Sequence, residues 1–326
     1  FPHPLTGKPW LNYLAGPANR QARIVADNMV FGNKIPYEGA IGTSIAKVFD
    51  MTVATSGLPA KRLKQAGIDY LSATIHSGSH AGYYPDALQM SIKITFSPAD
   101  GKLLGAQIVG YSGVDKRIDE FSQVIKHNGT VYDLMALEQA YAPPFSSAKD
   151  PVAVTGYVAG NILNGKMQPL YWRELQAADW SKVTLVDVRT PDEFALGALK
   201  GAVNIPLDDM RDRMKEIPRD KPVYLYCGVG LRGYLASNIL LQNGYKEVKN
   251  LIGGLKLYKA ATTPLPEPKE FSNYGSSSSD SSKVDHSEHS KDSAEAYTIA
   301  SSVIPSMRAI KVDACGISCP GPIMKL

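Results

Sequence analysis

Two short and almost continuously apolar runs, residues 183–188 (VTLVDV) and 223–226 (VYLY), constrain the fold of this sequence most strongly. Strands with this composition are buried on both faces, because helices cover both sides of a parallel sheet. Helix-like segments alternate with these runs, which is typical of an α/β domain. We therefore predict an α/β domain with a mostly parallel sheet over residues 168–262.

The region before it, residues 36–167, has a different pattern and is predicted to be α+β. A helix from residue 18 to 30 precedes this region, and Pro17 suits its first turn because proline lacks the N–H that is unpaired there. The sequence Asp100-Gly101 predicts a hairpin turn. Strand composition occurs at residues 41–54, 70–75, 90–97 and 103–110, and helical periodicity at 114–128, 131–138 and 149–164.

Composition narrows the classes of protein to which the chain could belong. The net charge of the 326 residues is only +4, with no basic stripe, so we expect no nucleic-acid partner. No apolar run approaches the roughly 18 residues of a membrane helix, and no signal pattern follows Phe1, so we expect a cytoplasmic protein without a membrane partner. A disordered linker is predicted at 263–295 from its Pro, Ser and charged residues.

Cys227 begins a loop between a predicted buried strand and a helix that is expected to run to about residue 241. Such a loop directs backbone N–H groups at the thiol, and Arg232 at its end adds a positive charge, so both favour a thiolate. The alternative is a buried structural cysteine. The amides expected to hold a bound sulfur anion belong to Gly228, Val229, Gly230 and Leu231.

Residues 183–260 resemble the single-domain rhodaneses. The matching segments are 187–194 (DVRTPDEF), 197–206 (GALKGAVNIP) and 252–254 (IGG) with Leu255 and Tyr258, although Ala198 stands where the family usually has histidine. The resemblance implies that Cys227 is the nucleophile, and that Asp187 and Arg189 are structural or near the site. A related group of phosphatases and arsenate reductases has a loop that is one residue longer, which makes that activity the weaker alternative.

A second resemblance covers residues 10–165. Four segments are similar to the pyridine nucleotide-disulfide oxidoreductases, in the branch of coenzyme A-disulfide reductases and NADH-dependent persulfide reductases: 14–21 (LAGPANRQ), 83–85 (YYP), 113–119 (GVDKRID) and 141–150 (YAPPFSSAKD). The resemblance implies that residues 1–35 end an FAD-binding domain and that residues 36–167 are a dimerisation domain. It also implies a homodimer.

This branch of the family implies roles for individual residues. Tyr83 and Tyr141 would reach into the active site of the partner subunit, where a phenol could act as an acid, and Tyr84 could replace Tyr83. Asn19 and Lys149 would contact coenzyme A. The residues expected against FAD are Leu14, Ala15, Pro17, Ala18 and, from the partner, Tyr141.

The chain departs from that family in one important respect. No Gly-x-Gly-x-x-Gly fingerprint and no redox cysteine near the start are present. We therefore expect a fragment whose FAD site is incomplete, with NAD(P)H and coenzyme A as co-substrates of the parent protein only.

The remaining two cysteines, Cys315 and Cys319, lie near the end of the sequence. Cys319 is followed by Pro-Gly-Pro, and residues 296–326 resemble the start of a TusA/SirA-like sulfur carrier, which implies that Cys319 carries sulfur. A zinc half-site is the alternative, but the spacing is not Cys-x-x-Cys. His76 and His80 could form a metal pair, although we interpret them as part of a solvated loop and expect no metal.

Together these signals predict an enzyme that transfers sulfur through a Cys227 persulfide, using small-molecule sulfur donors and thiol acceptors. It would be part of an FAD- and NAD(P)H-dependent coenzyme A-disulfide or persulfide reductase. One rival hypothesis is a non-catalytic module that dimerises and binds a partner; the other is the phosphatase or arsenate reductase.

Overall fold

The computed structural model of the protein describes residues 1–264, and the predictions made for residues 265–326 lie outside this range. Two five-stranded sheets organise the described residues. Neighbouring strands are antiparallel throughout the first sheet and parallel throughout the second. This arrangement confirms the predicted combination of an α+β region with an α/β region.

The first sheet has the strand order β1-β2-β5-β4-β3. Its strands are β1 (Ser44–Val48), β2 (Met51–Gly57), β3 (Leu71–Gly78), β4 (Gln89–Phe96) and β5 (Leu103–Gly110). The helices of this region are α1 (Ala15–Phe31), α2 (Ala60–Ala66), α3 (Val114–Lys126), α4 (Val131–Ala136) and α5 (Pro151–Leu163). Helix α3 buries Ile118, Phe121 and Ile125 in the core of this sheet, because apolar residues three and four positions apart share one helix face.

The second sheet has the strand order β6-β10-β9-β7-β8. Its strands are β6 (Pro169–Leu170), β7 (Thr184–Asp187), β8 (Val203–Asn204), β9 (Val223–Tyr226) and β10 (Val248–Leu251). The helices around it are α6 (Trp172–Ala177), α7 (Pro191–Ala195), α8 (Met210–Arg213), a 3₁₀ turn (Met214–Glu216), α9 (Leu231–Gln242) and α10 (Gly254–Thr262).

Three local predictions were wrong. The strand expected at residues 41–54 is instead a hairpin, because the chain reverses at Phe49-Asp50 between β1 and β2. Helix α2 was not predicted. His76 lies within β3 rather than in a solvated loop.

The edge strand β3 and the first residue of β4 contact the second sheet region. The Tyr171 hydroxyl donates to the Ser72 carbonyl at 3.1 Å, and the Lys256 ammonium donates to the Gln89 side chain. Ile252, which follows β10, packs in the same hydrophobic core as the first sheet. The two sheets therefore share buried apolar surface as well as hydrogen bonds.

Within residues 1–264, none of the helices combines the length and the apolar character that crossing a bilayer requires.

Candidate active site

Cys227 directly follows β9, and α9 begins four residues later at Leu231. The Cys227 side chain is buried, and its Sγ accepts a hydrogen bond from the Gly230 amide at 3.1 Å. Gly230 has a φ of 117°, a conformation that residues with a Cβ rarely adopt. The loop therefore curls around the sulfur and holds it at the positive end of α9.

The loop is held from behind by the start of α10. The Leu255 amide donates to the Cys227 carbonyl at 2.8 Å, and the Lys256 amide donates to the Gly228 carbonyl at 3.1 Å. Gly254 makes this approach possible, since a Cβ there would lie 2.5 Å from the Cys227 carbonyl oxygen. The Gly-Gly pair of the closing element thus positions the cysteine loop.

Asn250, the next-to-last residue of β10, supports the other end of the loop. Its Nδ2 donates to the Gly230 carbonyl at 3.0 Å, and Asn250 is 2% exposed. A Cβ on Gly233 would lie 2.1 Å from the Asn250 Oδ1, so the first turn of α9 approaches this side chain closely. The sequence alone indicates no role for Asn250, because a single buried amide has no pattern that would reveal one.

Arg232 forms a bidentate ion pair with Glu193 at the end of the loop. Its Nη1 lies 2.6 Å from Oε2 and its Nη2 lies 2.7 Å from Oε1. The hydrogen bonds from Arg232 lower the pKa of Glu193 to about 2. Bonding to Glu193 raises the pKa of Arg232, with a smaller contribution from the Cys227 sulfur within its reach. Glu193 lies in the family segment 187–194, but the sequence alone indicated no role for it.

Asp187 and Arg189 form a second ion pair, which is buried beneath the site. The Arg189 Nε lies 3.0 Å from both carboxylate oxygens of Asp187, and its Nη2 lies 2.6 Å from Oδ2. Arg189 also donates to the Gly197 carbonyl at 3.0 Å. These contacts join the end of β7 to the segment after α7, which is a structural role.

Tyr83 and Tyr141 meet at the surface of the first sheet region. Their hydroxyl oxygens are 3.1 Å apart, and 78% of Tyr83 and 48% of Tyr141 are exposed. The hydrogen bond with Tyr83 raises the pKa of Tyr141. No hydrogen bond in residues 1–264 links this pair to the Cys227 loop.

The two tyrosine loops are tied together by Arg117, which is only 1% exposed. Its Nη2 donates to the Ser79 carbonyl at 2.9 Å, to the Asp150 Oδ2 at 3.0 Å and to the Ser146 Oγ at 3.3 Å. Burial raises the pKa of Asp150, but hydrogen bonds from Ser146, the Val152 amide and Arg117 outweigh it and hold that pKa below its usual value. One buried guanidinium thus joins segments that are distant in sequence.

Lys149, predicted to contact coenzyme A, lines a cavity of about 140 Å³ that Tyr141 also lines. Asn19 is exposed and donates from Nδ2 to the Ala15 carbonyl at 2.9 Å within α1. Of the residues predicted to face FAD in this chain, only Pro17 is buried. The structure therefore brings Lys149 and Tyr141 together and leaves the start of α1 open.

The ring nitrogens of His76 and His80 bond to different partners. The His76 Nδ1 lies 2.8 Å from the Ser91 Oγ, and the His80 Nε2 lies 2.8 Å from the Pro85 carbonyl oxygen. In the part of the chain that the structure describes, no group of three His, Cys, Asp or Glu residues could hold a metal ion. Cys315 and Cys319 lie outside that part.

Two stretches of the chain match known protein families. Residues 43–152 match the dimerisation domain of the pyridine nucleotide-disulphide oxidoreductases, and residues 171–261 match the rhodanese-like domain. The chain thus contains both of these family domains. No TusA-like domain is among these matches.

The relatives match different shares of the chain. The coenzyme A disulfide reductase of Staphylococcus epidermidis is 40% identical over 146 residues, which are 45% of this chain and 33% of that enzyme. The crystal structure of reduced CoADR-RHD from Bacillus anthracis has a TM-score of 0.76 and 47% identity, and covers 79% of this chain and 46% of its own. The NAD-dependent persulfide reductase of A. fulgidus has a TM-score of 0.70 and 35% identity, and covers 78% and 46%.

The chain spans a third of the length of the curated reductase and less than half of either solved structure. The pyridine nucleotide-disulphide oxidoreductase match implies FAD and NAD(P)H in a parent protein of this kind.

Proposed function

We propose that this chain is a sulfurtransferase that carries sulfane sulfur as a persulfide on Cys227. The observation that carries the proposal is the 3.1 Å hydrogen bond from the Gly230 amide to Sγ, at the start of α9 and within reach of Arg232. These donors lie where the sulfur of a thiolate, the nucleophilic form of cysteine, would accept hydrogen bonds. Cys227 itself is buried, which limits water around the sulfur.

The reaction follows from this geometry. The Cys227 thiolate attacks the outer sulfur of a donor, a new S–S bond forms, and the donor's S–S bond breaks so that its inner atom leaves with the electron pair. The outer sulfur of the resulting persulfide would be an anion held by the amides of Gly228, Val229, Gly230 and Leu231. An acceptor thiolate then attacks that outer sulfur and restores the Cys227 thiolate.

We also propose that residues 1–167 belong to a coenzyme A-disulfide or persulfide reductase that forms a homodimer. The support is that Tyr83 and Tyr141 are joined by their hydroxyl groups and protrude from the chain. In the dimer they would reach the partner's reactive site, where Lys149 and Asn19 would contact coenzyme A. The proposed domain boundaries are residues 1–35, 36–167, 168–262, 263–295 and 296–326, and Cys319 in the last segment would be a carrier thiol that accepts sulfur.

The described residues do not form an FAD site on their own. Ala15 and Ala18 are exposed, and a Cβ on Gly16 would meet nothing within 4 Å. The surface that would enclose a flavin is therefore not supplied by residues 1–264.

Two rival functions have less support. A non-catalytic module does not require a buried cysteine with an amide aimed at its sulfur, and the loop has both. A phosphatase or arsenate reductase needs room for a tetrahedral anion beside its arginine, and here both terminal nitrogens of Arg232 are bonded to Glu193.

Intact-protein mass spectrometry tests the proposal. After exposure to thiosulfate or glutathione persulfide, the chain should gain one sulfur atom that cyanide or excess thiol removes, and Cys227→Ser should gain none. Wild-type protein that takes up no sulfur from either donor would overturn the proposal, and assays with aryl phosphate and arsenate would then decide between the rivals.

A further inference from the structure

Arg232 provides the positive charge of the cysteine loop, since residues 227–232 (CGVGLR) contain no other ionisable cation. Both of its terminal nitrogens are bonded to Glu193, at 2.6 and 2.7 Å. Such fork-to-fork pairs fix the orientation of both groups as well as their distance. Arg232 is therefore positioned by the carboxylate before any donor arrives.

Glu193 is itself held from the opposite side. Its Oε2 accepts hydrogen bonds from the Thr190 amide at 3.1 Å and from the Thr190 hydroxyl at 3.2 Å, which form the capping box of α7. The bonds from Arg232 lower the pKa of Glu193 to about 2, so the carboxylate is ionised throughout the neutral range. The pair consequently presents one positive and one negative charge at the loop.

The rest of the loop surface is apolar. Val229 is 37% exposed and Leu231 is 64% exposed, and both belong to the segment that surrounds the sulfur. Lys256 supports the loop through its backbone amide, but its ammonium group donates to Gln89 of the first sheet. A donor that approaches Cys227 thus meets backbone amides, two aliphatic side chains and a neutralised arginine.

From this arrangement we infer that Glu193 determines the charge preference of the Cys227 loop. By neutralising Arg232, Glu193 favours persulfides of organic thiols over the thiosulfate dianion. The inference deepens the proposed sulfurtransferase function and rests on it. Glu193 is a positioning residue, because it acts through Arg232 and does not touch the reacting sulfur.

The two donors lead to the same product. With thiosulfate, the Cys227 thiolate takes the outer sulfur and sulfite leaves with the electron pair of the broken S–S bond. With an organic hydropersulfide, the leaving group is the thiolate of the parent thiol. Thiosulfate brings two negative charges to the loop, whereas the hydropersulfide brings at most one together with apolar carbon that can contact Val229 and Leu231.

The test compares initial rates of sulfur loading on the full chain by thiosulfate and by the persulfide of 2-mercaptoethanol. Glu193→Gln should raise the ratio of the thiosulfate rate to the persulfide rate about tenfold, mainly through KM for thiosulfate, because one negative charge near the dianion is removed. Glutamine keeps the capping interaction of α7, so the fold is maintained. The increase in this rate ratio should be smaller in about 1 M salt, since salt screens the attraction between Arg232 and thiosulfate.

Two control variants separate charge at the loop from other effects. Glu216→Gln removes a carboxylate that pairs with Arg213 at 2.8 and 2.9 Å in the same domain, and it should leave the ratio unchanged. Glu193→Asp keeps the charge and should remain close to wild type.

An unchanged ratio in Glu193→Gln, with both donors still loading Cys227, would overturn the inference and leave the proposed function intact. An equal rise in Glu216→Gln would overturn it as well, because net charge alone would then explain the effect. A wild-type protein that neither donor loads would overturn both.

Discussion

The Cys227 loop and the Tyr83–Tyr141 pair differ in how completely this chain builds them. Cys227 is 1% exposed and receives its hydrogen bond from its own loop, whereas Tyr83 is 78% exposed and touches only the other tyrosine through its hydroxyl. A buried and hydrogen-bonded reactive group needs nothing further from outside the chain. An exposed pair with one internal contact fits a site that a second surface completes.

The supports behind the two sites are nevertheless alike. Arg117 ties the tyrosine loops together through one buried guanidinium, and Gly254 admits the start of α10 against the cysteine loop. The difference therefore lies in what covers each site and not in the rigidity of its base. Four variants test this difference.

The largest effect is expected from Arg117→Met. It leaves buried Asp150 with only the more distant Lys116, at 3.8 Å, as an ion-pair partner. Breaking a buried ion pair costs about 3–5 kcal/mol in the free energy of unfolding. Urea denaturation followed by circular dichroism measures the loss. Arg213→Met is the matched control at an exposed pair and should change little. Equal losses in the two variants would contradict the supporting role of Arg117.

Gly254→Ala tests the base of the cysteine loop. The new Cβ would lie 2.5 Å from the Cys227 carbonyl oxygen, at a φ of 59°. Crowding and left-handed strain together should lower the free energy of unfolding by about 2–4 kcal/mol and slow sulfur loading. Gly201→Ala, at a φ of 79° with nothing within 4 Å, carries the strain without the crowding and should cost less. If the two substitutions cost the same, the close approach has no energetic consequence.

The free energy of unfolding should fall in acid because of His76, which lies beside Lys256 where the two sheet regions meet. Burial, reinforced by Lys256, lowers the pKa of His76 from 6.5 to about 4. The unfolded chain therefore takes up a proton below about pH 6.5 while the folded chain remains neutral. Stability is complete above that pH and is lost as the pH falls towards 4, by roughly 2 kcal/mol at pH 5.

Urea unfolding of wild type and His76→Gln at pH 7 and pH 5 measures this contribution. The variant should lose less stability between the two pH values, whereas His127→Gln, at an exposed position, should behave as wild type. An identical loss in His76→Gln would show that other groups cause the acid sensitivity.

The smallest effect on sulfur loading is expected from changing the tyrosine pair. The double exchange Tyr83→Phe and Tyr141→Phe removes the hydroxyl contact at 3.1 Å but leaves the Cys227 loop untouched. Mass spectrometry should therefore show sulfur loading within about twofold of wild type, since distant and unconnected sites act independently. A large fall in loading would mean that the two sites are coupled.

Short apolar strands were predicted well from the sequence. The predictions at 103–110 and 223–226 coincide with β5 and β9, because each run is bounded by glycine, proline or the cysteine loop. The hairpin of β1 and β2 was missed because Phe49 takes a φ of 53° in a turn without the usual glycine or asparagine. A local pattern reveals a turn only when the turn uses the residues that favour it.

The candidate site was likewise predicted only in part from the sequence. The position of Cys227 between a buried strand and a helix was visible in six consecutive residues. Glu193 is 39 positions from Arg232, and Asp150 is 33 positions from Arg117, so these partners become neighbours only in the folded chain. A charged residue on an amphipathic surface looks the same in sequence whether or not it meets such a partner.

The closing element at residues 252–254 belongs to both sheets at once. Ile252 packs into the core of the first sheet, and two residues later Gly254 admits the cysteine loop of the second. Melting of the first sheet would release Ile252, two residues before the glycine that supports the cysteine loop, so the melting of one region cannot proceed far without the other. A scanning calorimeter should record a single cooperative transition for these residues, even though two separate family domains meet there.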